Sequence, residues 1–107
     1  MSGRSAQDPA PQLPLAGIRV VELGHTVMGP SCTMVLGDLG ADVIKVEPPE
    51  GERTRRNVGF GSGFFPVFNR NKRSIAIDIK SEGGKLLVHK LIAGADVVVE
   101  NFGYGTM

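Results

Sequence analysis

At 107 residues the chain has the size of one small domain, and its 41% apolar content is ordinary for a globular protein. Twelve Lys plus Arg stand against eleven Asp plus Glu, a net charge of +1, so no overall field favours nucleic acid or an anionic membrane and any anion site must be local. The single cysteine, Cys32, excludes an internal disulfide framework and fits a reducing compartment, with the cytoplasm the expected location.

Residues 1–14, MSGRSAQDPAPQLP, lack the apolar stretch of a secretory signal and read as a disordered tail. Residues 15–107 follow as one folded unit, and no apolar run approaches the length that spans a bilayer. Gly17 to Leu23, GIRVVEL, is short, β-branched and stopped by a glycine, which predicts a buried strand. Pro30 suits a first helical turn, and Cys32, Val35, Leu36 and Leu39 then share one helical face before Gly40 closes the segment. Ala41 to Glu47, ADVIKVE, is the next strand, so strand, helix and strand form a right-handed βαβ unit.

Residues 48–65, PPEGERTRRNVGFGSGFF, are glycine-rich and almost aperiodic, a long surface loop for which function and flexible linkage both remain open. Ser74 to Ile79 alternates as a third strand. Ser81 and Glu82 open a second helix with Leu87, Val88, Leu91, Ile92 and Ala95 on one face, its first turn weakened by Gly83 and Gly84. Asp96 to Glu100, DVVVE, reads as a parallel strand covered on both faces. The order is β-α-β-loop-β-α-β, an α/β parallel sheet. Two crossover helices leave part of such a sheet uncovered, so the chain reads as the front part of a larger domain, with a compact 107-residue domain as the competing reading.

Ligands of open parallel sheets bind beyond the carboxyl ends of the strands, which selects the loops at Gly24–Gly29, Glu47-Pro48, Lys80-Ser81 and Asn101-Phe102-Gly103. GHTVMG has the glycine spacing of a phosphate loop, but Pro30 stands where the phosphate-binding lysine is needed, so nucleoside triphosphate hydrolysis is disfavoured. Glu47 ends a strand where a dinucleotide-binding fold places its ribose carboxylate, yet no G-x-G-x-x-G follows the first strand. The glycines at 59, 61 and 63 lie in the long loop, where flexibility is the preferred reading. Cys32 reads as a buried structural thiol rather than a nucleophile partnered by His25, and His89 as solvated. For His25, ligand contact and plain hydrogen bonding both stay open. No His, Cys and carboxylate cluster has metal-ligand spacing, so no metal is predicted.

Four runs, PLAGIRVVELGHTVMGP, LGDLGADVIKVEPPEGERTR, NRNKRSIAIDIKSEGG and ADVVVENFGYGTM, occur in the order and spacing that resemble the start of a class III coenzyme A transferase. The resemblance runs from Pro14 to Met107 and implies a Rossmann-like fold within an interlocked homodimer. It also implies transfer of coenzyme A from an acyl-CoA to a carboxylic acid. A catalytic aspartate, implied to lie beyond Met107, would form an aspartyl anhydride and then an enzyme-CoA thioester. The residues carried over as coenzyme A contacts are His25, Val27 and Met28; Ile77, Asp78, Ile79 and Lys80; and Asn101, Phe102 and Gly103. Some members of the family have an arginine where Pro48 stands here, and Arg53, Arg55 or Arg56 could replace it, with a solvated charged loop as the alternative. An α-methylacyl-CoA racemase, similar in fold and in its KRS segment, and a noncatalytic nucleotide-binding module are the competing functions. Within NRNKRSIAIDIK, Lys80 falls at the ligand edge, whereas Arg70, Lys72 and Arg73 fall at the opposite edge, as loop anchors, subunit contacts or solvated charges.

Overall fold

The computed structural model describes residues 13–25, 27–56, 59 and 62–102. Four strands, β1 (Arg19–Glu22), β2 (Asp42–Glu47), β3 (Lys72–Ala76) and β4 (Val97–Val99), form one all-parallel sheet in the order β3-β2-β1-β4. Val21 of the inner strand β1 lies opposite Ile44 on one side and Val98 on the other, and Val20, Val21 and Glu22 are wholly buried. Parallel neighbours require long crossovers. These are α1 (Met28–Asp38) between β1 and β2, and α3 (Glu82–Ala93) between β3 and β4.

Strand periodicity divides the core in two. Val21, Leu23, Val46 and Ile77 pack against Val88, Leu91 and Ile92 of α3, while Val20, Ala41 and Val43 pack with Leu36 of α1 and with Leu15 and Ile18. The helices therefore cover opposite faces of a doubly wound, Rossmann-like sheet, as expected.

Four local expectations are corrected. The face of α1 turned inward is Gly29, Pro30 and Thr33, with Cys32, Val35 and Leu39 exposed. Thr33 is drawn inward by its hydroxyl bond to Glu22, and Gly37, one turn on, faces the sheet, where a Cβ would make ordinary contact with the Val43 side chain at 3.6 Å. Cys32 is thereby an accessible thiol, not a core one. The segment after β2 is not aperiodic, since it holds a 3-10 turn at Arg53–Arg56 and the start of a short helix, α2 (Phe64–Phe68). Both are organised by specific side-chain bonds that hydrophobic periodicity does not register.

The third strand, Lys72–Ala76, starts two residues and ends three residues earlier than its Ile alternation suggests, its end set by the chain leaving the sheet to cap α3. Ile77 still donates its N–H to the Glu47 carbonyl at 2.8 Å, but a turn at Asp78–Ser81 follows, in which Ser81 N–H donates to the Asp78 carbonyl at 3.1 Å. β4, expected to be covered on both faces, is an edge strand with Val97 and Val98 about 40% exposed.

At the amino-terminal end of the strands, Arg70 and Arg73 form exposed ion pairs with Asp38 and Asp42 at 2.8 and 2.6 Å. They anchor the β3 edge to α1 and to β2. Among the described residues no helix is long and apolar enough to cross a membrane.

Candidate functional site

The chain reverses its direction of sheet building at β1, which has β2 on one side and β4 on the other. The crevice beyond the carboxyl ends of two such strands is the ligand position of doubly wound folds. A cleft of about 610 Å³ opens at this edge. It is lined by Gly24 and His25 after β1, by Pro48 and Pro49 after β2, by Arg53 of the 3-10 turn, by Ile77–Lys80 after β3 and by Phe102 after β4.

The two strand ends are tied together by Asn101. Its side-chain oxygen accepts the His25 N–H at 2.8 Å and its amide nitrogen donates to the His25 carbonyl at 3.0 Å. The His25 and Phe102 rings then stack, with centroids 5.9 Å apart and planes inclined by 28°. This accounts for both glycines of GHTVMG. A Cβ on Gly24 would fall 2.8 Å from the Asn101 oxygen and 2.9 Å from the Gly29 Cα, and one on Gly29 would fall 2.9 Å from the Gly24 Cα. The motif is a receptacle for the Asn101 side chain.

Of the residues carried over by resemblance, His25, Ile77, Asp78, Ile79, Lys80 and Phe102 line this one cleft, and Asn101 shapes its wall. Val27 instead occupies the N-cap position of α1, and Met28, 72% exposed, begins that helix outside the cleft lining. Gly103 lies outside the described residues.

Beneath the cleft lies a buried ionic network that the sequence reading did not anticipate. The Lys45 ammonium sits 2.7 Å from both Glu22 and Glu52, and 3.4 Å from the Gly24 carbonyl. Lys72 approaches the other Glu22 oxygen at 2.7 Å and donates to the Pro30 carbonyl and the Asn69 side chain. The Thr33 hydroxyl donates to Glu22 at 2.6 Å. Isolated charges in such a place are costly, so pairing is required for these residues to be there at all. Desolvation pushes the Lys72 ammonium below its usual pKa despite the opposing influence of Glu22. The signal was available: a Glu and a Lys within strands buried on both faces must meet one another.

Glu47 ends β2 as a second hub. Its carboxylate accepts two bonds from Arg55, at 2.6 and 2.7 Å, one from the Glu52 N–H at 2.7 Å and one from the Ser74 hydroxyl. The Arg55 bonds foremost hold its pKa down at about 2, against the raising effect of burial. Arg55 also lies 4.0 Å over the Phe65 ring, which joins the 3-10 turn to α2. A carboxylate so engaged is not available to a ribose, which argues against the dinucleotide reading of Glu47.

Residues 15–107 match CoA-transferase family III, and the chain belongs to that family. It is 46% identical over 97 residues to formyl-CoA:oxalate CoA-transferase of Streptomyces coelicolor, covering 87% of this chain and 24% of that protein. It is 45% identical over 106 residues to succinyl-CoA:glutarate CoA-transferase of Mus musculus, covering 94% and 24% respectively. The chain thus spans about a quarter of the length of these curated relatives. Among solved structures, Rv3272 from Mycobacterium tuberculosis superimposes with a TM-score of 0.86 at 43% identity, covering 92% of this chain and 28% of that one. A CAIB/BAIF family protein from Brucella suis does so with a TM-score of 0.80 at 47% identity, covering 89% and 27%.

Proposed function

We propose that this chain supplies the coenzyme A platform of a CoA-transferase that moves coenzyme A from an acyl-CoA to a carboxylic acid. The observation that carries the reading is the convergence of His25, Ile77–Lys80 and Phe102 on one cleft at the switch point of the sheet. Coenzyme A combines a flat base, a pantetheine arm of methylene, gem-dimethyl and amide groups, and three phosphates. Ile77, Ile79 and Phe102 offer apolar surface to the first two, and the Lys80 ammonium a partner to the last.

In this reading His25, Val27, Met28, Asn101, Phe102 and Gly103 contact or shape the surroundings of the coenzyme, and Ile77–Lys80 hold its nucleotide half. Val27 and Met28 do so from the first turn of α1. Chemistry falls to an aspartate outside this chain. Its carboxylate attacks the thioester carbonyl and expels the coenzyme thiolate, leaving an aspartyl anhydride. The thiolate then attacks the aspartyl carbonyl of the anhydride, releasing the donor acid as its carboxylate and leaving an enzyme-CoA thioester, from which the acceptor carboxylate takes the coenzyme by the same two steps in reverse. The working protein is a cytoplasmic homodimer.

Isothermal titration with coenzyme A, adenosine diphosphate and a nicotinamide dinucleotide tests the platform. Binding of the first, weakened by about 1–3 kcal/mol in Lys80→Ala, is the expected result. Binding of the dinucleotide alone overturns it. Incubation with acyl-CoA and a panel of carboxylates tests the reaction: a new thioester is expected, whereas racemisation of a 2-methylacyl-CoA without one makes the protein a racemase.

A further inference from the structure

On the reading of the cleft as a coenzyme A site, one cation of the 3-10 turn has a task still to be assigned. Three arginines stand there, and their surroundings differ. Arg55 is bound to Glu47 through both nitrogens and covers Phe65. Arg56 donates to the Glu50 carbonyl at 2.6 Å. Arg53 has no hydrogen bond or ion pair among the described residues, and it lines the cleft.

The backbone that carries Arg53 is nevertheless held on both sides. Glu52 before it is buried, its N–H bound to Glu47 and its carboxylate 2.7 Å from Lys45. Thr54 after it is also buried, its hydroxyl donating to Glu52 at 2.8 Å. The side chain between two such anchors must point outward, and little backbone freedom is left to lose when a ligand arrives. A guanidinium is weakly hydrated, always charged and shaped to donate two parallel bonds to a phosphate. Lys80 adds a second cation on the wall after β3. Glu50 and Asp78 line the same cleft, so no diffuse positive field fills it and an anion must be held by direct contact.

We propose that Arg53 is a phosphate-binding residue of this cleft, donating to a phosphate of the nucleotide half of coenzyme A opposite Lys80.

Titration of the protein and of its Arg53→Gln, Arg53→Lys and Lys80→Ala variants with coenzyme A, dephospho-coenzyme A and pantetheine tests this. Arg53→Gln is expected to weaken coenzyme A about tenfold, the scale of one charge-assisted hydrogen bond, with pantetheine unaffected and Arg53→Lys recovering part of the loss. Loss confined to coenzyme A assigns the contact to the 3′-phosphate, and equal loss with dephospho-coenzyme A assigns it to the diphosphate; both support the proposal. Because Arg53 is exposed, its variants should melt with the wild type. Unchanged coenzyme A affinity in Arg53→Gln alongside a loss in Lys80→Ala overturns the role of Arg53 and leaves the coenzyme site standing, as does an equal loss for pantetheine. A wild-type protein that binds no coenzyme A overturns both.

Discussion

Asn101 and His25, 76 residues apart in the chain, form a closed pair in which one side-chain amide satisfies both the N–H and the carbonyl of one backbone residue. The pair fixes the end of β4 against the end of β1, the two strands that frame the cleft. Asn101→Ala should therefore destabilise the protein by about 1–2 kcal/mol, the scale of two partly exposed hydrogen bonds. Asn101→Asp keeps the acceptor for the His25 N–H but sets a carboxylate oxygen against the His25 carbonyl, so it should be no more stable than the alanine variant. Amide exchange separates them: the His25 N–H should exchange faster in Asn101→Ala and remain protected in Asn101→Asp. Equal protection in both would mean that Asn101 does not hold this strand end.

The two glycines that open α3 should respond oppositely to alanine. Gly84 lies so close to the preceding turn that a Cβ would stand 1.8 Å from the Asp78 carbonyl oxygen, and its N–H donates to Ser81 at the N-cap. Gly84→Ala must move backbone that lines the cleft at Asp78 and should cost about 2–3 kcal/mol. Nothing lies within 4 Å of a Cβ on Gly83. Gly83→Ala should stabilise by up to about 1 kcal/mol through helix propensity alone. Urea denaturation of the pair decides the matter, and similar midpoints would contradict the packing described.

Much of this arrangement was legible in the sequence because it rests on local rules. The Ser81 cap, the glycine after α1 and the strand-helix alternation announce themselves within a few residues, and the carboxyl-edge rule then chooses loops that do line the cleft. What was not legible depends on partners distant in sequence. The inward face of α1 follows from Thr33 reaching Glu22 beside the buried Gly29 and Pro30, so counting apolar residues at helical spacing found Leu36, which does pack inward, but also selected the exposed Cys32, Val35 and Leu39. The 3-10 turn follows from Glu47 and Lys45 holding Glu52 and Arg55, partners that lie in a stretch with no apolar period to mark them. For the same reason the three arginines could not be told apart until their partners were in view.

Lys45 is the residue on which the buried network depends most. Lys45→Met replaces its volume but leaves Glu22 and Glu52 with one cation fewer in a site closed to water. Destabilisation by about 3–5 kcal/mol is expected, the usual scale for removing one partner of a buried pair. Adding Glu52→Gln should return part of that loss, because the second carboxylate is then no longer charged. Losses that simply add in the double variant would show that Lys45 and Glu52 are not coupled.

Glu47 should make the protein sensitive to acid in a defined window. Its folded pKa of about 2 lies below the ordinary value of 4.5, chiefly through the Arg55 bonds. The unfolded chain therefore takes up a proton more readily over that interval. The stability contributed by Glu47 is complete above about pH 4.5 and is lost as the pH falls towards 2. The contribution is on the order of 1–2 kcal/mol, less than the full linkage value because Arg55 is exposed enough for solvent to screen the pair. Asp38, also lowered by its exposed partner Arg70, adds a background of the same sign. Urea midpoints measured from pH 6 to pH 2 should fall more steeply for the wild type than for Glu47→Gln, with Asp38→Asn as the control for that background. Parallel curves for wild type and Glu47→Gln would remove Glu47 as the source of the acid sensitivity, and with it the claim that its carboxylate is ionised and held by Arg55 in the folded protein.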